Sequence, residues 1–515
     1  MDANGLLTVL AILIAGLSLL SEEKRTDLRL RTSKIDLLML FVLLLIIFVV
    51  IYSPVILSLG LFHPIGWLWG FTKETLVFSC LIFIISLFGW KLLGWKVPTS
   101  NFYLWSDISQ RLLRNKKLPQ LGYLFEKYHE QFFDFIEKDI WYVKAHNALS
   151  PSIFQLIEFG MPPKRWYTNS LCFLKEGVAK LLPSRNEKRD VMETSVSNIL
   201  KSKSFTQHLS ESHPLVGAKA TTVRFRDSDE FTNSFLKALI SHPGSHLYRE
   251  LKDNQNCSHT GRYYIDENNQ LLNCYLQDVS VAIDVQIWRP IGDYVTEFIK
   301  KQRGKDNFYN QPNGRFSDGD DRWNCPIFVG MQFFSVMVSA GVFQRSKDHM
   351  WLMYCESFFE GIIENLEHAG DVDKSTEFPS RFDYLLYHVF SGCDSWVGSI
   401  LSLDYTGWSD EDKELSPEYW AAKAMGSMLY NVMSSNKIIS SQKLYFLDIV
   451  IRRMNGLDRG GFERYSELIL DCSVRKYEFS SVDQSVVKEI RDVYQQVDHV
   501  LKSKKSTFEI ELAKY

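Results

Sequence analysis

The sequence lacks the short motifs that mark the commonest enzyme and cofactor sites. It has no G-x-S-x-G turn for a nucleophilic serine, no glycine-rich phosphate-binding loop and no H-E-x-x-H zinc motif. No stretch is specific enough to place the chain in a family. The catalytic residues, if any, are therefore unknown from the sequence, and we predict no cofactor and no metal ion. The absences disfavour an enzyme without excluding an unfamiliar active site.

Closely spaced cysteines are also missing. The cysteines are scattered along the chain, and no two of them form a C-x-x-C pair. This pattern argues against a zinc ribbon or a disulfide framework, and it is typical of reduced, mostly buried thiols in a cytoplasmic domain. The eight are Cys80, Cys172, Cys257, Cys274, Cys325, Cys355, Cys393 and Cys472.

Charge is absent from three apolar stretches near the N-terminus, Leu6–Leu20, Leu37–Leu61 and Leu76–Trp90. A membrane-spanning helix needs about 20 apolar residues. The second stretch meets this length by itself, and the other two meet it with flanking residues. A cleaved signal peptide is the alternative for the first stretch, but that stretch has no positively charged start. We predict a transmembrane anchor over residues 1–96, with spans at about 5–21, 37–57 and 75–93.

Basic residues flank these spans unevenly, and short loops rich in Lys and Arg stay on the cytoplasmic side. The pattern predicts a cell-membrane protein with its N-terminus outside, residues 21–36 inside, residues 58–73 outside and a cytoplasmic C-terminal domain. The loop between the second and third spans carries Lys73. The two cytoplasmic clusters are Lys24, Arg25, Arg29, Arg31 and Lys34, and then Lys91, Lys96, Arg111, Arg114, Lys116 and Lys117.

The chain after residue 96 is slightly acidic and has no strong nucleic-acid signature. Basic runs occur at Arg111–Lys117, Lys300–Lys305 and Lys502–Lys505, and each is typical of a solvated helix face. The first run lies close enough to the predicted anchor to contact anionic lipid headgroups.

The composition beyond the anchor predicts a mainly α fold, in which a predominantly helical cytoplasmic region follows three transmembrane helices and contains a small antiparallel β element. Apolar residues Leu104, Trp105, Ile108 and Leu112 share one helical face, which packs on the following domain or lies on the membrane. An aromatic stripe that includes Phe125, Phe132 and Phe135 predicts a helical core. We predict a helical, aromatic-rich region at 97–205, a mixed α/β region at 206–320 and a helical domain at 321–515.

The β element is predicted as a hairpin near 262–272, in which Asp266–Asn269 form the turn. Residues 221–226 alternate and are interpreted as a strand, and Val279–Ile287 as a strand or a helix. Residues Phe328–Phe343 are apolar and predict a buried helix, with membrane contact as the alternative.

Several clusters contain residue types that bind metals or act as nucleophiles. The loop acids Asp318, Asp320 and Asp321 suit a hard cation but lack the EF-hand spacing, so solvated acids are the expected reading. Two further sets have no recognisable spacing and are interpreted as ordinary turn or core residues. These sets are His242, His246, Cys257 and His259, and His388, Cys393 and Asp394.

Taken together, these patterns predict a multi-pass membrane protein whose cytoplasmic helical domain acts in protein binding, sensing or scaffolding. The expected partners are the lipid bilayer and either a protein or further copies of the chain. One alternative is a membrane-tethered, divalent-metal-dependent hydrolase or nuclease that uses the Asp318–Asp321 loop. The other is an oligomeric effector that perturbs the membrane.

Overall fold

The computed structural model describes residues 15, 18–60, 72–138, 186–258, 261–348, 351–477, 479–502 and 506–515. Most of the first predicted span lies outside these residues, as does the segment 171–182, for which the sequence predicts a short helix. The described chain is mainly helical and forms two compact units. The first unit comprises residues up to 208 together with 223–228, and the second comprises 209–222 and 229–515.

The first unit consists of an apolar helix pair and a set of amphipathic helices. The helix Lys203–Ser212 contains the boundary between the first unit and the second. The helices are α1 (Glu22–Arg31), α2 (Lys34–Ile51), α3 (Ser53–Ser58), α4 (Lys73–Leu93), α5 (Phe102–Arg114), α6 (Leu118–Glu137), α7 (Glu187–Leu200) and α8 (Lys203–Ser212).

Helices α2 and α4 form the apolar pair, and each has the length and composition to cross a membrane. At 1.5 Å per residue they extend about 27 Å and about 32 Å, close to the thickness of the hydrocarbon core. Only 6% of the apolar stretch of α2 and 22% of that of α4 is buried. The two helices share a small apolar cluster of Ile47, Val50, Val77, Cys80, Leu81 and Ile84. They match the second and third predicted spans.

Polar contacts lie at both ends of the pair, one between α2 and α4 and the other between α3 and α4. At one end the Lys91 ammonium lies 2.8 Å from the Asp36 carboxylate. At the other end the Lys73 ammonium donates to the Ser53 hydroxyl at 2.9 Å. Because the charged groups sit only at the ends, the middle of the pair stays apolar.

Helices α5 and α6 pack together through aromatic residues. Trp105 and Phe132 are fully buried with ring centroids 4.6 Å apart, and Phe102 meets Phe135 edge-on at 4.7 Å. Ile108 and Leu112 are buried on the same face of α5. The predicted apolar face of α5 is therefore part of a protein core.

The second unit is built from short and medium helices. Its helices are α9 (Pro214–Thr222), α10 (Ser228–Ser241), α11 (His246–Asp253), α12 (Gln270–Leu276), α13 (Val279–Val285), α14 (Trp288–Lys300), α15 (Pro326–Phe343), α16 (Leu352–Asn365), α17 (Arg381–Ser399), α18 (Asp410–Glu414), α19 (Pro417–Ser434), α20 (Ser440–Arg459), α21 (Glu463–Ser473), α22 (Gln484–Tyr494) and α23 (Thr507–Leu512).

Helix α15 is the core helix of the second unit, which confirms the predicted buried helix. Helices α11, α13, α14, α16, α17 and α19 pack around it, and 89% of its apolar stretch is buried. Gly330 permits the approach of α14, because a Cβ there would lie 2.5 Å from a methyl group of Val295. Protein side chains thus occupy the surroundings that lipid would occupy around a spanning helix.

The predicted β hairpin is wrong. Residues 270–276 are helix α12, and the described residues form isolated bridges but no sheet. The backbone N–H groups of Leu271 and Leu272 donate to the Glu250 carboxylate at 3.0 and 2.9 Å, which satisfies the free donors at the helix start. Tyr263 forms only an isolated bridge with Cys257. A carboxylate 21 and 22 residues upstream therefore stabilises the start of this helix.

Neither of the other two segments that were candidates for strands is a strand, and residues 223–226 form a bend and a turn. Residues 221–226 contain the end of α9, and the structure resolves the Val279–Ile287 ambiguity as helix α13. The Asp278 side chain accepts from the Ser280 N–H at 3.0 Å and caps the start of α13.

Candidate functional site

The acidic loop does not form a metal site in the part of the chain that the structure describes. Asp318, Asp320 and Asp321 are all exposed, and the Asp320 carboxylate lies 3.2 Å from the Lys252 ammonium. Among the described residues, no group of three or more His, Cys, Asp and Glu side chains could hold a metal ion. The loop therefore offers solvated acids rather than a preformed cation site.

The predicted His and Cys sets belong to turns and cores. His242 accepts the N–H of Gly244 at 3.1 Å in a turn, and His259 lies outside the described residues. His388 stacks on Phe328 with ring centroids 4.5 Å apart, and burial lowers its pKa to about 4. The Cys393 thiol donates to the Ala421 carbonyl at 3.1 Å, and burial raises its pKa. His388 is therefore a neutral core ring and Cys393 an unreactive thiol.

A cavity of about 830 Å³ lies in the first unit, where α2 begins and α4 ends. It combines charged and apolar walls. The charged and polar lining consists of Arg25, Arg29, Thr32, Lys34, Asp36, Lys91, Ser100 and Asn101, and the mostly apolar lining of Leu28, Leu37, Leu40, Leu87, Phe88, Tyr103 and Leu104.

The cations of this cavity are only partly neutralised. Arg29 and Lys34 are exposed, and neither side chain has a hydrogen bond or ion pair with any residue that the structure describes. The Arg25 guanidinium donates to the carbonyls of Leu20, at 2.9 Å, and Ser18. Lys91 pairs with Asp36, the one carboxylate among the described lining residues. The cavity therefore carries excess positive charge at its rim.

Arg31, almost fully buried at 2% exposure, holds the cavity in shape. Its guanidinium donates to the carbonyls of Lys91 and Leu92, at 2.8 and 3.0 Å, at the end of α4. It also donates to the Tyr128 hydroxyl on α6 at 2.6 Å. The last carbonyls of a helix lack partners within the helix and carry partial negative charge, so a buried cation stabilises this end. We call this set of contacts the Arg31 clamp.

The charge of Arg31 is balanced by Asp27, one helical turn earlier on α1, at 2.7 Å. Asp27 also accepts hydrogen bonds from the Lys127 ammonium at 2.8 Å and from the Tyr128 hydroxyl. Burial and the neighbouring carboxylate raise the pKa of Tyr128, which keeps its hydroxyl neutral and able to donate. A buried carboxylate with three donors around it meets the requirement that buried charges be paired and hydrogen-bonded.

Asn101 fixes the link between α1 and α2 on the floor of the cavity. Its side-chain amide donates to the carbonyls of Leu30 and Thr32 at 2.8 and 2.9 Å, and it is buried.

The segment that follows α4 is held by Gln131 on α6, which exchanges two hydrogen bonds with the backbone of Val97, at 2.7 and 2.8 Å. The link between α1 and α2 and the segment that follows α4 are therefore both held by side-chain hydrogen bonds to the backbone.

Sequence reasoning identified the basic residues of this region only as topology signals. Arg31 was grouped with Arg25, Arg29 and Lys34, although Arg31 is buried and structural while Arg29 and Lys34 remain exposed. The Asp27–Arg31 spacing of four residues is the one local signal of a helical ion pair. It does not reveal the partners on α4 and α6, which lie far away in the chain.

Comparison of this chain with protein-family models, with curated proteins and with solved structures finds no match.

Proposed function

We propose that this chain is a multi-pass membrane-anchored protein that holds a large helical domain at the cytoplasmic face, where the domain binds or organises a protein partner. The Arg31 clamp is the observation that carries this proposal. It ties the end of the apolar helix α4 to helices α1 and α6. A bundle fixed to a span in this way would act at a set distance from the bilayer.

The orientation rests on where the charges lie. The cations Arg25, Arg29, Lys34 and Lys91 surround the end of the helix pair that joins the bundle. The opposite end offers Lys73, which bonds to Ser53. Because basic residues are retained on the cytoplasmic side, this distribution favours a bundle inside the cell.

Protein binding remains the favoured role because no described residue set resembles a reaction centre. The acidic loop is exposed and partly paired with Lys252, which gives no support to the metal-dependent hydrolase. The middles of α2 and α4 carry no charged residue, and intramembrane charge usually marks a transport pathway. A binding or scaffolding domain needs neither a reaction centre nor a charged residue within the membrane.

Two epitope tags test the anchor and its orientation in full-length protein. One tag is inserted after Gly60 and the other after Tyr515, and the protein is expressed in cells and fractionated. We expect the chain to resist alkaline carbonate extraction. An antibody should reach the first tag in intact cells and the second only after permeabilisation. A chain released by carbonate, or the opposite accessibility, contradicts the proposal.

The binding role is tested by purifying the full-length protein in mild detergent and measuring its native mass. We expect a stoichiometric protein partner. A pure homo-oligomer that turns over a substrate contradicts the scaffold role and favours an enzyme.

A further inference from the structure

We propose that the cavity between α1, α2, α4 and α5 is a binding site for one anionic glycerophospholipid of the cytoplasmic leaflet. The phosphate would lie against Arg29 and Lys34, and an acyl chain would follow Leu37, Leu40 and Phe88. The inference deepens the proposed function and rests on it, because the site exists only if α2 and α4 lie in a bilayer.

The charge at the rim selects an anion. Arg29 and Lys34 are exposed and have no partner within the described residues, while the nearby Asp36 is already paired with Lys91 at 2.8 Å. An incoming phosphate would therefore meet two available cations without competing with the carboxylate. Arg binds phosphate oxygens through a planar fork, and Lys adds a point charge. Basic pockets at the cytoplasmic ends of spans are typical headgroup sites.

The apolar wall selects a lipid over a soluble anion. Leu37 and Leu40 follow Lys34 by three and six residues on α2, which places them about 4.5 and 9 Å further along the helix axis. Leu87 and Phe88 supply the facing wall from the last turns of α4. This order, with cations outside and hydrocarbon further along the helices, matches a headgroup followed by its acyl chains.

The size and rigidity of the cavity are also suitable. Its volume of about 830 Å³ lies within the roughly 300–1,000 Å³ of small-molecule sites. The floor of the cavity is formed by Asn101, which is 5% exposed and donates hydrogen bonds to two carbonyls. The Arg31 clamp fixes the end of α4 beside it. Tyr103 is half exposed at the rim, where an amphipathic ring favours the headgroup level.

The test uses full-length protein in nanodiscs of phosphatidylcholine with or without phosphatidylglycerol, followed by native mass spectrometry. The wild type should release from mixed nanodiscs with one phosphatidylglycerol retained per chain, and phosphatidylcholine should not replace it. Glycerol 3-phosphate and inorganic phosphate, added in excess, should not displace the lipid. Displacement by either would show a soluble-anion site and overturn the lipid proposal.

The double variant Arg29→Gln, Lys34→Gln removes the two available cations. We expect retention of phosphatidylglycerol to fall by about tenfold or more. The matched control, Lys24→Gln with Lys96→Gln, removes the same charge from exposed juxtamembrane positions outside the cavity. We expect its retention to change less than about twofold. If both variants lost phosphatidylglycerol equally, the lipid would be held by general surface charge, and the proposal of a specific site would be wrong.

A filling variant keeps the inference testable if the charge variant folds poorly. Leu37→Trp places a larger apolar ring on the cavity wall while preserving the apolar character of α2. It should reduce retention of phosphatidylglycerol without changing membrane insertion. Normal retention in this variant contradicts the assigned acyl path. A chain that inserts as proposed but retains no lipid refutes this inference alone. A chain that alkaline carbonate releases from the membrane refutes the proposed function.

Discussion

Two helices of 18 residues, α2 and α15, are both apolar enough to cross a membrane, yet their surroundings are opposite. Only 6% of the apolar stretch of α2 is buried, whereas 89% of that of α15 is buried. Other helices enclose α15, while the large side chains of α2, such as Phe41 and Leu38, are mostly exposed. Composition alone therefore cannot separate a membrane span from a core helix.

The sequences of the two helices carry a partial clue. Helix α15 contains Gly330, Ser335, Ser339 and Gly341, which allow neighbouring helices to approach closely. Helix α2 is almost entirely Leu, Ile, Val and Phe, with charge only in its first turn. Small residues within an apolar helix indicate protein contact, whereas an unbroken run of large aliphatic residues suits lipid.

The largest effect should come from shortening a core side chain of α15. Phe334 is fully buried and meets Phe358 edge-on at 5.5 Å. We expect Phe334→Ala to lower the free energy of unfolding by about 3–5 kcal/mol through lost burial and a cavity. Urea unfolding of the full-length protein in mild detergent measures it.

The matched change in α2 is Phe41→Ala, at a position where the side chain is 63% exposed. We expect a loss below about 1 kcal/mol, because exposed side chains contribute little packing within the protein. Equal losses of unfolding free energy in Phe334→Ala and Phe41→Ala would contradict the view that α15 is a core helix and α2 is not.

The next largest effect should come from breaking the Arg31 clamp. Arg31→Gln removes the cation that pairs with Asp27 and satisfies two carbonyls at the end of α4. We expect the free energy of unfolding to fall by roughly 2–4 kcal/mol. This is less than the cost of leaving a buried charge without any partner, because Lys127 still pairs with Asp27.

The exposed neighbour Arg29 provides the control for the clamp. Arg29→Gln should change stability by less than about 0.5 kcal/mol, as for a typical surface substitution. Proteolysis of the first unit offers a second readout, since only the Arg31 variant should expose the segment between α4 and α5. Similar behaviour of the two variants would contradict the clamp.

A pH dependence should distinguish the second unit from the first. Burial raises the pKa of Glu356 on α16 to about 7, with a further contribution from Glu360, while Ser427 and Lys423 oppose the shift. The folded state therefore binds a proton that the unfolded state releases near pH 4.5. Between about pH 4.5 and 7 the unfolding free energy should fall as pH rises, by on the order of 1–3 kcal/mol from this group.

Comparison with Glu356→Gln isolates that contribution from other titrating groups. The amide cannot ionise, so the variant should gain stability relative to the wild type as pH rises from 5 to 8. A constant difference between the two proteins across this range would show that Glu356 titrates normally.

The smallest effect should come from the polar end of the apolar pair. Asp36 pairs with Lys91 and caps the start of α2 with Ser33, whose hydroxyl accepts the Asp36 N–H at 3.2 Å. We expect Asp36→Ala to cost about 1–2 kcal/mol, mainly through the lost capping box. Lys73→Ala at the opposite end breaks one exposed bond to Ser53 and should cost less than about 0.5 kcal/mol. Thermal unfolding in detergent compares the two variants. A larger loss of stability for Lys73→Ala than for Asp36→Ala would contradict the assignment of the stronger polar contacts to the Asp36 end.

The sequence predicted the features that depend on neighbours along the chain. Uninterrupted apolar runs located α2 and α4, and aromatic periodicity located the core of α5 and α6. The predicted hairpin is wrong: its second half is the start of α12, which is capped by Glu250 of another helix, a contact that the local pattern does not show. The cavity was missed for the same reason, since Arg31 finds its partners 60 and 97 residues away. Long-range polar contacts leave no periodic trace in a sequence.

The most direct test of the central claim is photolabelling with a lipid-soluble carbene precursor, with full-length protein in phospholipid bilayers. Peptide mapping should place the label on the exposed faces of Lys34–Ile51 and Lys73–Leu93 and leave Pro326–Phe343 unlabelled. That result would establish lipid around α2 and α4 and protein around α15. Labelling of Pro326–Phe343 at the level of the other two helices, or no label on either of them, would contradict the account.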